Sequence, residues 1–377
     1  MMEYKALKDI AQITMGQSPD SSSYNEEGRG LPFFQGNADF GELYPTERVW
    51  CDAPKKVARA NDILISVRAP IGAMNYAREE CCIGRGLAAI SIEDPAERQY
   101  VFHLLKARHD ELNRKGTGST FKAINKSVLE DLQVPVISLA EKQHAMQIMD
   151  SAEQIIRKRK EELKHFDELI KARFVELFGD PVYNDKSWET DTVENLCKEI
   201  YGGGTPSKSH QEYYDNGDIP WVSSKDMKSD VISDSQIHIT QLGVDNSTAK
   251  IVPVNSVIMV IRSGILKHTL PVAINTVPVT VNQDLKVFIP GERILTRFLA
   301  VQFKMHEKDI LSGVRAVTAD NIEFNSLKRR HMIVPPIKLQ QRYVSTLEQV
   351  DKSKAVVQKA LDETQVLFDS LMQEYFG

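Results

Sequence analysis

Cysteine is scarce and poorly spaced for chemistry. The four in this 377-residue chain, Cys51, Cys81, Cys82 and Cys197, form no C-x-x-C pair. Ribbon-type metal sites and thioredoxin-like redox motifs therefore have no support, and reduced, buried thiols are expected. Long apolar runs are missing as well. The most apolar stretch, Val252 to Ile274, is broken by Arg262, Lys267 and His268, which argues against a membrane span of about 20 residues. The opening Met1-Met2-Glu3-Tyr4-Lys5 has no basic segment leading into an apolar one, so no secretory signal is expected and a cytoplasmic location is. Positive charge is not in excess either: the formal net charge is −5. Any affinity for a polyanion must come from local clusters. What is present is ordinary for a globular protein. Hydrophobic residues make up 42% and charged ones 26%, enough to bury real cores, and the length suits two to three domains.

Catalytic motifs are absent in turn. Asp180-Pro-Val-Tyr183 lacks the second proline of an amino-methyltransferase motif and follows a helix-ending Gly179, so it reads as a post-helix turn. Gly202-Gly-Gly-Thr-Pro206 lacks the Gly-Lys-Ser/Thr of a P-loop, which excludes that phosphate cradle. Glu162 and Lys164, with Asp150 upstream, resemble a nuclease set only on paper, because they fall on a long polar helix. The nine histidines include no His-Glu-x-x-His, and no Gly-x-Ser-x-Gly occurs. No metal site is expected.

The chain repeats itself. Glu168–Gly179 answers Val366–Gly377 at an offset of 198 residues, with Phe178-Gly179 matching Phe376-Gly377. Asn61-Asp-Ile-Leu-Ile-Ser-Val-Arg68 answers Asn255-Ser-Val-Ile-Met-Val-Ile-Arg262 at 194. Ile13–Pro19 answers Ile200–Pro206, and Leu31-Pro-Phe-Phe answers Ile219-Pro-Trp-Val. A drifting offset is what loop insertions leave in a duplicated domain. Short β-branched runs such as 62–67, 87–92, 257–261 and 285–289 predict buried strands, and 100–114 and 297–311 predict a shorter helix in each half. Each globular part is therefore α+β.

Each half ends in a long heptad helix. Met149, Ile156, Leu163, Ile170 and Leu177 recur every seven residues, and Leu347, Lys354, Leu361, Phe368 and Tyr375 keep that register, with Val350, Val357, Thr364 and Leu371 at the second seam position. Five heptads clothed in runs such as Arg157-Lys-Arg-Lys-Glu-Glu162 predict an antiparallel coiled coil. About 35 helical residues span on the order of 50 Å, enough to place two modules one to one-and-a-half DNA turns apart.

Polar loops recur at matching places: Gly16 to Ser23, Gln35-Gly-Asn37, Gly116 to Lys122, Gly202 to Lys208, Ser223-Ser-Lys225 and Ser312 to Arg315. Glycine permits close approach to phosphates, hydroxyls donate to them, and Gln, Asn and Arg make paired contacts with base edges. His103, Lys106, Arg108, His109, Arg114, Lys115, Lys122 and Lys126, and Lys328-Arg-Arg-His331, form locally basic stretches. For Arg68 and Arg262, which end equivalent strands, an ion pair and a DNA contact are equally open.

In this order and in duplicate, several segments carry a resemblance. They are Met15-Gly-Gln-Ser-Pro with Leu31 to Asn37, Gly203-Gly-Thr-Pro-Ser with Ile219 to Asp226, Gly118-Ser-Thr-Phe121, Leu177-Phe-Gly-Asp-Pro181, and the helix openings 134–143 and 334–341. Across essentially its whole length the chain resembles specificity subunits of type I restriction–modification systems. One departure is Leu339-Gln340, where that family usually has Glu-Gln. The resemblance implies two similar α+β target-recognition domains (1–140 and 180–336) separated by two long antiparallel coiled-coil helices (141–179 and 337–377), related by a pseudo-two-fold. It implies no catalysis and no cofactor in this chain. The partners would be double-stranded DNA, two modification subunits supplying S-adenosylmethionine-dependent adenine-N6 methylation, and restriction or translocating subunits. The site would be bipartite, with a spacer set by the helices.

The residues expected to contact DNA are Gln17, Ser18, Gln35, Asn37, Thr117, Ser119 and Lys122 in the first half. In the second they are Thr205, Ser207, Lys208, Ser223, Lys225 and Arg315. The seam is expected at Met149, Ile156, Leu163, Ile170, Leu177, Leu347, Leu361, Phe368 and Leu371. Two other classes are open on the residues: a self-contained methyltransferase or nuclease with a divergent site, and a coiled-coil protein scaffold.

Overall fold

The computed structural model describes residues 3–118, 122–313, 320–376 and the backbone of 315–316. Two compact units result, residues 1–161 with 358–377, and residues 162–357. Each long helix is thus divided between the units and is not a segment apart from them.

The first unit is built on an antiparallel sheet in the order Gln12–Met15, Leu87–Ser91, Ile63–Ser66, Met74–Tyr76. Ile63–Ser66 is buried at all four positions, which is why its apolar run is continuous and not alternating. A second sheet runs Tyr24–Asn25, Trp50–Cys51, Leu31–Phe34, Cys81–Ile83, Val57–Ala58, with Leu31–Phe34 parallel to Cys81–Ile83. The second unit has the same plan. Cys197–Gly202, Leu285–Pro290, Val257–Val260 and Val272–Asn275 follow in the same order, with Val231–Ile232 added at the edge. Ile219–Val222 lies parallel to Thr280–Val281. Tyr4–Ala6 pairs with Gln133–Pro135 in one unit, and Thr190–Thr192 with His331–Ile333 in the other. Asn61 and Asn255 both take positive φ, 68° and 63°, a conformation that asparagine tolerates better than bulkier residues.

The shorter helices also correspond. Pro95–Ala107 and His109–Lys115 meet at Arg108, and Thr296–Met305 and Glu307–Ser312 meet at His306. Asp94 caps the first of these, accepting from the Glu97 N–H at 2.7 Å, with Pro95 at the first helical position. Burial pushes the Cys81 and Cys82 thiols up to about 12, far from the thiolate range that reactivity requires.

The long helices are Leu139–Phe178 and Ile337–Phe376, 40 residues each. Ser138 and Glu141 form a capping box at the start of the first: the Ser138 N–H donates to Glu141 at 2.8 Å and the Glu141 N–H to the Ser138 hydroxyl at 3.2 Å. Gly179 ends that helix at φ 76°, its N–H donating to the Val175 carbonyl at 2.8 Å. At the second opening, the Gln340 side chain is wholly buried. It donates to the Arg293 and Pro335 carbonyls at 3.0 and 2.8 Å and accepts from the Leu295 N–H at 2.9 Å.

Within the second unit the helices run antiparallel, since Asp167 meets Lys354 at 2.7 Å while Phe174 packs edge-on against Tyr343. The Tyr343 hydroxyl donates to the Ile170 carbonyl at 3.1 Å. Met149, Ile156, Leu347, Leu361 and Phe368 are buried. Leu163, Ile170, Leu177 and Leu371 are only half-buried. Near the helix ends the buried stripe falls on Phe174 and Phe178, and on Met372 and Phe376, one residue beyond the strict seven-residue positions. An α-helix turns once in 3.6 residues, so a 3.5-residue seam drifts unless supercoiling corrects it. Among the described residues no helix is long and apolar enough to cross a membrane.

Candidate nucleic-acid interface

Glycine opens the surface in both units. A β-carbon on Gly16 would run into the carbonyls of Gly84 and Leu87, and one on Gly203 into those of Val281 and Asn282. Only glycine lets the loop after Gln12–Met15, or after Cys197–Gly202, lie flat on the neighbouring strand end. The same register follows in each: the Gln17 N–H donates to Ile83 and the Gly204 N–H to Val281, both at 3.0 Å.

This brings three predicted residues of the first unit together. Gln17 and Gln35 are exposed, and the Ser18 hydroxyl accepts from the Gln35 amide at 3.5 Å and the Arg85 N–H at 3.4 Å. Asn37 is half-buried at the start of the turn Asn37–Asp39, whose Asp39 accepts from the Gln35 N–H at 2.8 Å. Thr117 and Lys122 lie at the same strand ends. Thr117 pairs with Ala123, Ala123 bridges Arg68, and the Ala69 N–H donates to the Lys122 carbonyl at 3.1 Å. Both side chains are exposed; Ser119 lies outside the described residues.

In the second unit, Thr205 donates its hydroxyl to Gln283. Ser223 is turned inward: its hydroxyl donates to Asp226 at 2.7 Å, which commits it to holding the turn. Ser207 is bonded to Ser209 at 2.7 Å, and Lys208 and Lys225 are exposed. The Arg315 backbone pairs with Asn321, as Thr117 does with Ala123, and Arg262 bridges Asn321. Arg262 also ion-pairs with Asp284 at 2.5 Å. Lys286 is half-buried with its ammonium 4.7 Å over the Phe324 ring; desolvation, then the nearby Arg262, holds its pKa below the usual lysine range.

Sequence reasoning missed Arg85 and Gln283, which occupy equivalent places beside Ser18 and Thr205. The available signal was an arginine flanked by two glycines, Gly84-Arg85-Gly86. The basic stretches, in contrast, are largely offset by carboxylates. Lys106 meets Glu153 and Lys115 meets Glu111 at 2.6 Å, Lys126 meets Glu130 at 2.9 Å, Lys328 meets Glu194 at 2.5 Å, and Arg330 meets Asp309. His103 is buried. Two of these carboxylates lie one turn away on the same helix and three come from other elements, so the basic stretches supply less local positive potential than the sequence suggests. Among the described residues no group of three or more His, Cys, Asp or Glu is placed to hold a metal ion.

Comparison with known proteins accounts for this architecture. The profile of the type I restriction modification DNA specificity domain matches residues 1–165 and 185–364. A putative type I restriction enzyme MjaX specificity subunit from Methanocaldococcus jannaschii is 43% identical over 41% of this chain and 37% of its own length. The EcoR124I/EcoR124II specificity subunit of Escherichia coli is 40% identical over 40% and 38%. The chain's matches therefore span less than two-fifths of the length of these two relatives. The MjaIX specificity subunit of M. jannaschii is 22% identical over 98% of this chain and 91% of its own. The crystal structure of a type I restriction-modification S subunit from M. genitalium shares the fold over 100% of this chain and 96% of that one, with a TM-score of 0.59 at 14% identity. The relatives are named as specificity subunits, the non-catalytic component of such systems. With both of its halves matched, the chain belongs to the family of type I restriction–modification specificity subunits.

Proposed function

We propose that this chain reads a bipartite double-stranded DNA site, one half per unit, and positions two modification subunits on it in the cytoplasm. The observation that carries this is the recurrence of one loop cluster at the same strand ends of two units that share a single plan. Gln17, Gln35 and Lys122 in one unit, and Thr205, Lys208, Lys225 and Arg315 in the other, supply the hydrogen-bonding and basic groups that base edges and phosphates require. Ser18, Asn37, Thr117, Ser119 and Ser207 extend each surface, and Ser223 supports it by holding its turn.

Methylating a base requires extruding it into a deep, cofactor-lined pocket. That chemistry is assigned to the modification subunits, which bind S-adenosylmethionine, and cleavage to restriction subunits where they are present. The 40-residue helices, each about 60 Å long, are the element that sets the unspecified spacer. Single-molecule methylation sequencing of a host carrying this gene with its modification subunit tests the reading. The expected result is methylated adenine in two specified halves around a spacer of constant length. A continuous motif, or methylation by the purified chain alone with labelled S-adenosylmethionine, would overturn it.

A further inference from the structure

The two units carry the same loop cluster, but the matching strand ends do not carry the same free charge. In the first unit Arg68, Arg85 and Lys122 are all exposed. They come from three segments that backbone hydrogen bonds hold side by side: Val67 N–H to Gly86 at 2.9 Å, Ala69 N–H to Lys122 at 3.1 Å, and the Arg68–Ala123 bridge. None of the three has an ion-pair partner among the described residues. The strand registers place each opposite a counterpart in the second unit: Arg68 with Arg262, Arg85 with Gln283, and Lys122 with Asp320. Gly86 answers to Asp284, and Thr117 to Arg315.

At the equivalent positions the described basic residues of the second unit are engaged; its exposed Lys208 and Lys225 lie on other loops. Asp284 holds Arg262 through Nε at 2.6 Å and a terminal nitrogen at 2.5 Å. Asp320, nearly buried, faces Lys267 at 3.8 Å, and Lys286 lies over Phe324. A cation already paired must give up its carboxylate before it neutralises a phosphate, so it releases few counterions on binding. A free one releases nearly one.

We propose that the two units grip the DNA backbone with different parts of their loop clusters. The first uses the strand-end patch of Arg68, Arg85 and Lys122, whereas the equivalent patch of the second contributes little, its Arg262 held in place by Asp284, and leaves phosphate contact to Lys208 and Lys225 on its other loops. This rests on the DNA-binding reading above and adds which residues of each half grip phosphate.

The experiment measures binding of the full-length chain to a mixed-sequence 40-base-pair duplex by fluorescence anisotropy across a salt series. Such binding is almost wholly phosphate contact, with a slope of about 0.9 in log K against log salt per neutralised phosphate. The triple variant Arg68→Gln, Arg85→Gln, Lys122→Gln should flatten the slope by about 2 to 3. The double variant Arg262→Gln, Arg315→Gln should flatten it by about 1 at most, and Asp284→Asn, which frees Arg262, should steepen it. Arg68, Arg85, Lys122 and Arg262 are exposed and Asp284 is half-buried, and equal thermal unfolding midpoints establish that the variants fold. Equal losses from the two patches, or an unchanged triple variant, would overturn the proposal while leaving DNA binding intact. A wild-type chain with no salt-dependent affinity would remove the DNA reading itself.

Discussion

The side-chain amide of Gln302 makes to Ile333 the two bonds that a neighbouring strand would make. Its Nε2 donates to the Ile333 carbonyl at 2.9 Å and its Oε1 accepts from the Ile333 N–H at 3.0 Å. Gln302 is wholly buried, so water cannot replace it. Gln302→Leu leaves a buried donor and a buried acceptor unpaired and should cost about 2–4 kcal/mol. Urea unfolding of the variant should show a lower midpoint at unchanged slope; a midpoint equal to wild type would show that the strand His331–Ile333 does not depend on this contact.

Gly203 and Gly16 sit where a strand end crosses backbone. Gly203→Ala should cost about 1–3 kcal/mol, because the obstructing atoms are main-chain carbonyls that cannot rotate away. Gly36, with open space around its missing β-carbon, is the control, and Gly36→Ala should be nearly neutral. Thermal melts of both variants check the contrast.

His306 has neither ring nitrogen bonded. Burial, aided by nearby Arg330, lowers its pKa to about 4, below the unfolded value of 6.5. The unfolded chain therefore binds this proton first. The stability tied to neutral His306 is complete above pH 6.5 and drains away as the pH falls from there through about 4. His306→Leu should remove that part of the pH dependence, so wild-type and variant midpoints should diverge between pH 6.5 and 4 relative to pH 7.5. A difference that stays constant with pH would refute the assignment.

The long helices make a spacing prediction. Deleting one heptad, Lys160 to Phe166, keeps the seam register on both sides of the cut. Methylation sequencing should then report a changed spacer with unchanged half-site letters. Altered letters would mean that the helices take part in reading sequence.

Much of the fold was legible because it is written in short range. Four-residue apolar runs, Asn61 and Asn255 at equivalent turns, and Gly179 after a heptad helix each act over a few residues. The departures have physical causes. The helix seam moves to Phe174 and Phe178 because aromatic side chains at that end pack on Phe298 and Tyr343, with ring centroids 5.6 Å apart for Phe174–Phe298 and Phe178–Tyr343, and no heptad count includes that cluster. Gln17, Ser18 and Gln35 were identifiable as surface polar loops. Arg85 was not, since it reaches Ser18 across a separation of 67 residues.

By itself the sequence determined that there are two copies of one α+β plan, each followed by a long heptad helix, and that no common catalytic motif accompanies them. Those properties follow from local periodicity and from internal repetition. The tertiary structure alone decided which charges are free. Lys106 is matched by Glu153 from 47 residues away and Arg262 by Asp284 from 22, while Arg68 meets no carboxylate among the described residues. Scarce positive charge thus becomes a question of pairing, because a cation's worth to DNA depends on what else lies within about 4 Å of it.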